Sequence, residues 1–159
     1  MSKRRTIIGQ FTMRPIEMLR SPAMRVLSLT GHRILARIEI EQARHAGREN
    51  GRLPVTHADF REYGIDHNAV GYGIREVVAL GFVEQTQRGF AGPTEHCPSL
   101  FRLTYLPAHP ARPTDEWRNI GTTEEAEAIA QKARASKPRR EWSFNQRRKK
   151  FRVIASGNS

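Results

Sequence analysis

Residues 56–104, THADFREYGIDHNAVGYGIREVVALGFVEQTQRGFAGPTEHCPSLFRLT, hold two short helical patterns on either side of a glycine-containing turn, followed by two strand-like runs. Thr56 opens the first helix: its hydroxyl can accept from first-turn amides, and Asp59, three residues on, adds favourable charge at the same end. Tyr63-Gly64 closes that helix and Ile65 is placed to plug into the core. Asp66 then caps a second helix from about His67 to Leu80. On one side of it stand Val70, Ile74, Val77 and Val78, at the i, i+4, i+7, i+8 spacing of a buried face. Their expected partners are Ile34, Leu35, Ile38 and Phe60.

The other side of the second helix carries His67, Asn68, Gly71, Tyr72 and Arg75. Gly71 and Gly73 each weaken a helix by roughly 1 kcal/mol relative to Ala, so each needs a reason to be there. Gly71 suits close approach of the backbone to a ligand; Gly73 suits a tight helix crossing. Gly81 supplies the exit, and FVEQT (82–86) and FRLTY (101–105) alternate as the strands of a half-buried hairpin. Between them Arg88-Gly89 turns the chain, which places Arg88 near the tip. Leu53-Pro54-Val55 reads as a short edge strand, where a proline removes no needed donor.

Outward from this stretch the pattern thins. Pro15 can start one helical turn and Ser21-Pro22 another by the cap-then-proline rule. A longer helix follows, with Thr30 as cap and Ile34, Leu35, Ile38, Ile40 and Ala43 as its apolar side, closed by Gly47 and Asn50-Gly51. After Pro107 the run PAHPARPTDEW is punctuated by prolines, with Trp117 as its one bulky anchor. Thr122-Thr123-Glu124-Glu125 begins a last, alanine-rich helix. Its apolar side of Ala126, Ile129, Ala130 and Ala133 is too thin for a second core.

The 159 residues carry a formal charge of +11, from 27 Lys or Arg against 16 Asp or Glu. The imbalance lies at the ends. Residues 137–152 hold eight basic residues and one acid, Glu141, whereas residues 51–95 hold six acids and four arginines. A polyanion is therefore drawn to the ends, and the central helices must act through local geometry. Cys97 is alone, no Cys/His set has zinc-site spacing, and no eighteen apolar residues run together, so neither secretion nor membrane spanning is expected.

The strings NGRLPVTHADFREYGI, AVGYGIREVVALGFVE and FRLTYLP resemble bacterial winged helix-turn-helix DNA-binding proteins, in particular small regulators and replication initiators of mobile elements. The resemblance covers roughly half of the chain. It implies an α+β fold with residues 66–80 as recognition helix and a small antiparallel wing sheet between Phe82 and Tyr105. The organisation expected is a flexible basic arm (1–14), a winged helix-turn-helix domain (15–107), a Pro-rich linker (108–121), a C-terminal helix (122–136) and a basic tail (137–159).

The function expected is a sequence-specific, double-stranded DNA-binding transcriptional regulator, cytoplasmic and nucleoid-associated. Asn68 can pair bidentately with adenine and Arg75 with guanine, while Tyr72 can meet a phosphate or a thymine methyl. Solvent exposure is the plainer account of Asn68 and Arg75, and cover of the core that of Tyr72. Phosphate contacts are expected from Arg88, from Lys3, Arg4 and Arg5 in the arm, and from Arg139, Arg140, Arg147, Arg148, Lys149 and Lys150 in the tail, while His67 reads as a phosphate neighbour or a surface residue and Gly71 as letting the backbone approach DNA closely. A replication-initiator role uses the same physics, and a protein-interaction adaptor working through the last helix and tail is the rival of a different class. A homodimer is expected from the apolar residues Ile16, Leu19, Val26 and Leu27, or from the last helix. No cofactor is expected and the chain is not read as an enzyme: it lacks G-x-S-x-G, H-E-x-x-H, P-loop and dinucleotide fingerprints. In THADFREYGIDH, Asp59 and Asp66 have capping work, which accounts for them without a metal.

Overall fold

Prolines set the first two helices. Pro15 precedes α1 (Ile16–Arg20), and Ser21 caps α2 (Pro22–Val26) by accepting from the Met24 amide at 3.2 Å. The computed structural model describes residues 9–136, which form an α+β fold with six α-helices and two small antiparallel sheets. Residues 9–14 run against the third helix, where the Gln10 side-chain amide donates to the Ala43 carbonyl at 3.1 Å.

Helix α3 (Leu29–Arg44) starts two residues before the position expected from Thr30. Ser28 is its cap: the Ser28 hydroxyl accepts from the Gly31 amide at 3.1 Å while the rest of the residue is tied to Glu76. Ile34, Leu35 and Ile38 are buried as expected, but Ile40 is exposed. The turns between carry Arg37, Glu39, Glu41 and Gln42, all buried and polar.

Strand β1 (Leu53–Val55) leads into α4 (His57–Glu62), whose start is a full capping box: Thr56 accepts from Asp59 N, and Asp59 accepts from Thr56 N at 2.7 Å. Burial pushes the Asp59 carboxyl up, but these bonds together with the Arg37 and Arg44 charges outweigh it and hold the carboxyl below its ordinary value. Asp66 caps α5 (His67–Ala79) by accepting from Asn68 N at 2.9 Å, and Ile65 is buried in the turn between the helices.

Val70, Ile74 and Val77 of α5 are buried, but Val78 is exposed, correcting the expected face. The buried arc is rotated toward Ala69, Gly73 and Glu76 because α5 has two helical neighbours, α3 on one flank and the last helix on the other. A Cβ at Gly73 would stand 2.7 Å from Thr30 Cγ2 and 3.0 Å from Ile34 Cγ1, so the missing side chain is what lets α3 and α5 cross. Gly81, at a φ of 82°, turns the chain out of α5 directly against the Trp117 backbone.

The three-stranded sheet has the order β1-β5-β2, with β2 (Val83–Gln87) and β5 (Ser99–Leu103) paired Val83 to Leu103 and Gln85 to Phe101. Beyond a bulge at Gln85 and Gln87 the hairpin continues as β3 (Phe90–Ala91) and β4 (His96–Cys97). Its tip is closed by the Gly92 amide donating to the Glu95 carbonyl at 2.7 Å. Arg88 therefore stands at the neck, not the tip, because the loop expected there pairs with itself.

Trp117, in the 3-10 turn Glu116–Asn119, is buried as the anchor of the proline-rich stretch. Helix α6 (Thr123–Ala135) then lies across α5 and α2. Ala126 and Ala130 join the main core instead of forming one of their own, since small side chains let helix backbones approach closely enough to be buried by their neighbours.

Candidate nucleic-acid interface

The tight turn from α4 presents the first turn of α5. His67 and Asn68 are both exposed there, immediately after the Asp66 cap. A cap that consumes the Asn68 backbone amide leaves the Asn68 side-chain amide with its donors and acceptor uncommitted among the described residues. The His57 and His67 rings meet edge to face at 6.5 Å between centroids, one from the first turn of each helix. Partial burial, with His67 beside it, lowers the His57 pKa from its usual value.

Further along α5 the expected residues are placed differently from one another. Tyr72 is half-buried and packs against the core. Gly71 is half-buried, and the atom nearest to a Cβ there would be Arg75 Nη1, at 3.3 Å. The Arg75 guanidinium thus fills the space that glycine leaves. It also reaches the end of α6: Nε donates to the Ala133 carbonyl at 3.0 Å and Nη2 to the Arg134 carbonyl at 3.5 Å. In this arrangement the group proposed from sequence to meet a guanine is turned onto backbone carbonyls.

The structure thus brings His67, Asn68, Gly71, Tyr72 and Arg75 to one side of α5 and places Arg88 apart, exposed at the hairpin neck. Lys3, Arg4, Arg5, Arg139, Arg140, Arg147, Arg148, Lys149 and Lys150 lie outside the described residues. Those nine, with Lys137 and Arg152 and against Glu141, account for ten of the eleven formal charges. The described fold is nearly neutral, and no helix in it is long and apolar enough to cross a membrane.

Two features of the site were not read from the sequence. Arg33, exposed on α3, extends Nη1 to the Gly64 carbonyl in the α4–α5 turn at 3.4 Å, which puts a cation beside the exposed end of α5. Nothing local in the sequence linked Arg33 to a turn 31 residues away. Glu76, fully buried on the inward side of the same helix, accepts from the Ser28 amide at 3.0 Å, from the Ser28 hydroxyl, and from Arg134 Nη1 at 2.6 Å. Helical periodicity had no means of placing a glutamate inside. No protein-family model, curated protein or solved structure matches the chain.

Proposed function

We propose that this chain is a sequence-specific double-stranded DNA-binding regulator of the winged helix-turn-helix kind, with α5 as its reading helix. The observation that carries the proposal is the exposed His67–Asn68 turn, rigidly capped by Asp66 and set off from α4 by a tight turn, on a helix whose opposite side is locked into the core. An amide on a fixed helical turn can be held bidentate to adenine, which needs both its donor and its acceptor. The β2–β5 hairpin with its β3–β4 extension has the place of a wing, and Arg33 and Arg88 have the chemistry of phosphate contacts. The basic ends supply the sequence-independent attraction that the nearly neutral fold does not.

Selection from randomised duplexes with the full chain at physiological salt tests the proposal. An enriched motif is expected, and Asn68→Ala should relax it at one position by about 1–3 kcal/mol. Recovery of unbiased duplex overturns sequence-specific reading. Absence of duplex binding altogether favours the adaptor role for the last helix and tail.

A further inference from the structure

We infer that a second copy of this chain docks on the face formed by Phe11, Met13, Ile16 and Leu19, pairing α1 antiparallel with its copy across a two-fold axis. The inference goes beyond the DNA-binding reading and does not need it. Gln10 and Arg14 spend their polar atoms on α3: Gln10 donates to the Ala43 carbonyl at 3.1 Å, and the Arg14 fork takes both Glu39 oxygens, each at 2.8 Å. The large apolar residues between and after them are left outside, Phe11 at 62% exposed, Met13 at 67%, Ile16 at 61% and Leu19 at 42%. A segment held by its polar residues and showing its apolar ones to solvent has the usual arrangement reversed. The four follow one another within a single short stretch, so they make a patch and not the scattered exposure common on any surface. Of the residues expected from sequence to pair two copies, Leu27 is buried and Val26 packs against the core. The pairing face therefore moves to Ile16 and Leu19, joined by Phe11 and Met13.

Area and charge both point to a second copy. Scaled by the roughly 200 Å² that a large side chain can bury, these fractions leave on the order of 400 Å² of apolar surface in solvent. That matches the apolar half of a stable interface, which takes about 800 Å² from each partner. On α1, Ile16 and Leu19 are i, i+3 neighbours along one flank and Glu17 and Arg20 along the other, while Met18 is buried beneath them. Arg20 is exposed, and Glu17 stays exposed although one of its oxygens holds Arg118 at 2.7 Å. Antiparallel pairing about an axis midway between Met18 and Leu19 sets Glu17 against the partner's Arg20 and Arg20 against the partner's Glu17. The apolar flanks then meet on the other side of the axis. The exposed charges of α1 are thus complementary to their own copy, as an isologous contact requires. On the DNA-binding reading, such a pair carries two reading helices, and a short helix that covers only a few base pairs gains a second half-site.

Sedimentation equilibrium of the full chain without DNA, across the micromolar concentration range, tests the pairing. A reversible equilibrium between monomer and dimer is expected. Met13→Glu and Ile16→Glu each place a charge in the apolar face of both copies and should weaken association by on the order of tenfold or more. Phe90→Glu, at an exposed apolar position on β3 outside the face, should leave it unchanged. Glu17→Arg and Arg20→Glu should each weaken association with itself by setting like charges opposite one another. An equimolar mixture of these two variants should recover it as a mixed dimer, because one copy then offers arginine at both positions and the other glutamate. All the substituted residues are exposed, and thermal melts matching the native chain show that each variant is folded. A native chain that stays monomeric throughout overturns the proposal, as does Phe90→Glu weakening association as much as Ile16→Glu. Charge variants that fail to recover on mixing overturn the antiparallel pairing of α1. No duplex is present in these measurements, so their failure leaves the DNA reading standing, and failure of duplex selection leaves the pairing standing.

Discussion

Two glutamates buried on neighbouring helices, Glu39 of α3 and Glu76 of α5, each receive an arginine from near an end of the described chain, yet they are held in different ways. Glu39 takes both nitrogens of the Arg14 fork, each at 2.8 Å, and the Tyr105 hydroxyl. Glu76 takes one nitrogen of Arg134, and its other donors are the backbone and hydroxyl of Ser28, the residue that caps α3. Glu39 therefore depends on two side chains that arrive from elsewhere. Glu76 depends mostly on a helix start that its own presence organises. The difference teaches that the same ion pair can be a clasp in one place and a supplement in another, according to what remains when the arginine is removed.

The largest expected effect comes from removing the carboxylate that organises more. Glu76→Ala strands the Ser28 amide, the Ser28 hydroxyl and the Arg134 guanidinium together, and should cost about 3–5 kcal/mol in denaturant unfolding. A cost under about 1 kcal/mol would mean that water or a shifted Ser28 replaces the carboxylate, and the contrast with Glu39 would collapse.

Removing the arginines should separate the two sites in the opposite order. Arg14→Ala takes two of the three donors from Glu39 and should cost about 2–3 kcal/mol. Arg134→Ala takes one donor from Glu76, and the arginine side chain is 33% exposed, so about 1 kcal/mol is expected after solvent screening. Equal losses on matched unfolding curves would break the distinction between clasp and supplement.

The smallest effect is a pH dependence confined to the Glu39 site. Burial first, and then the neighbouring Glu39 carboxylate, raise the Tyr105 pKa well above its ordinary value of 10.0. The native state thus holds the phenol proton more tightly than the unfolded chain does. The stability this brings is full below the unfolded pKa and is lost as pH rises through the folded one, so the window lies above about pH 10. Thermal melts from about pH 8 to about pH 11 should show a steeper alkaline decline for the native chain than for Tyr105→Phe. Parallel declines would mean that the phenol does not titrate with unfolding.

Much of the α5 region is legible because local rules agree there. The capping box at Thr56–Asp59, the Asp66 cap and the apolar spacing of Val70, Ile74 and Val77 each report on a few neighbouring residues, and all are present. Gly73 is likewise found where a helix crossing requires it. What local rules miss is whatever depends on a second neighbour. Val78 faces outward and Glu76 inward because α6 rests on the flank that a single-partner pattern leaves to solvent. Asn50, read as part of a helix exit, is buried and exchanges bonds with both the amide and the carbonyl of Leu103, a pairing across 53 residues. Arg75 illustrates the same limit within the candidate site. Its position on the exposed side of α5 follows from the helical period, but its engagement with Ala133 and Arg134 depends on how the last helix docks.

The knot of Ser28, Glu76 and Arg134 also bears on the order in which the protein can be made. Its bonds span 48 and 58 residues, joining the early, middle and late parts of the chain. Synthesis runs from the N-terminus, so Ser28 and Glu76 can meet while α6 has yet to emerge, and Arg134 completes the set only once α6 has been made. Until then one flank of α5 lacks its cover of alanines. The helix proposed to read DNA thus becomes fully supported only when α6 arrives, which ties the maturation of that surface to the synthesis of a later helix.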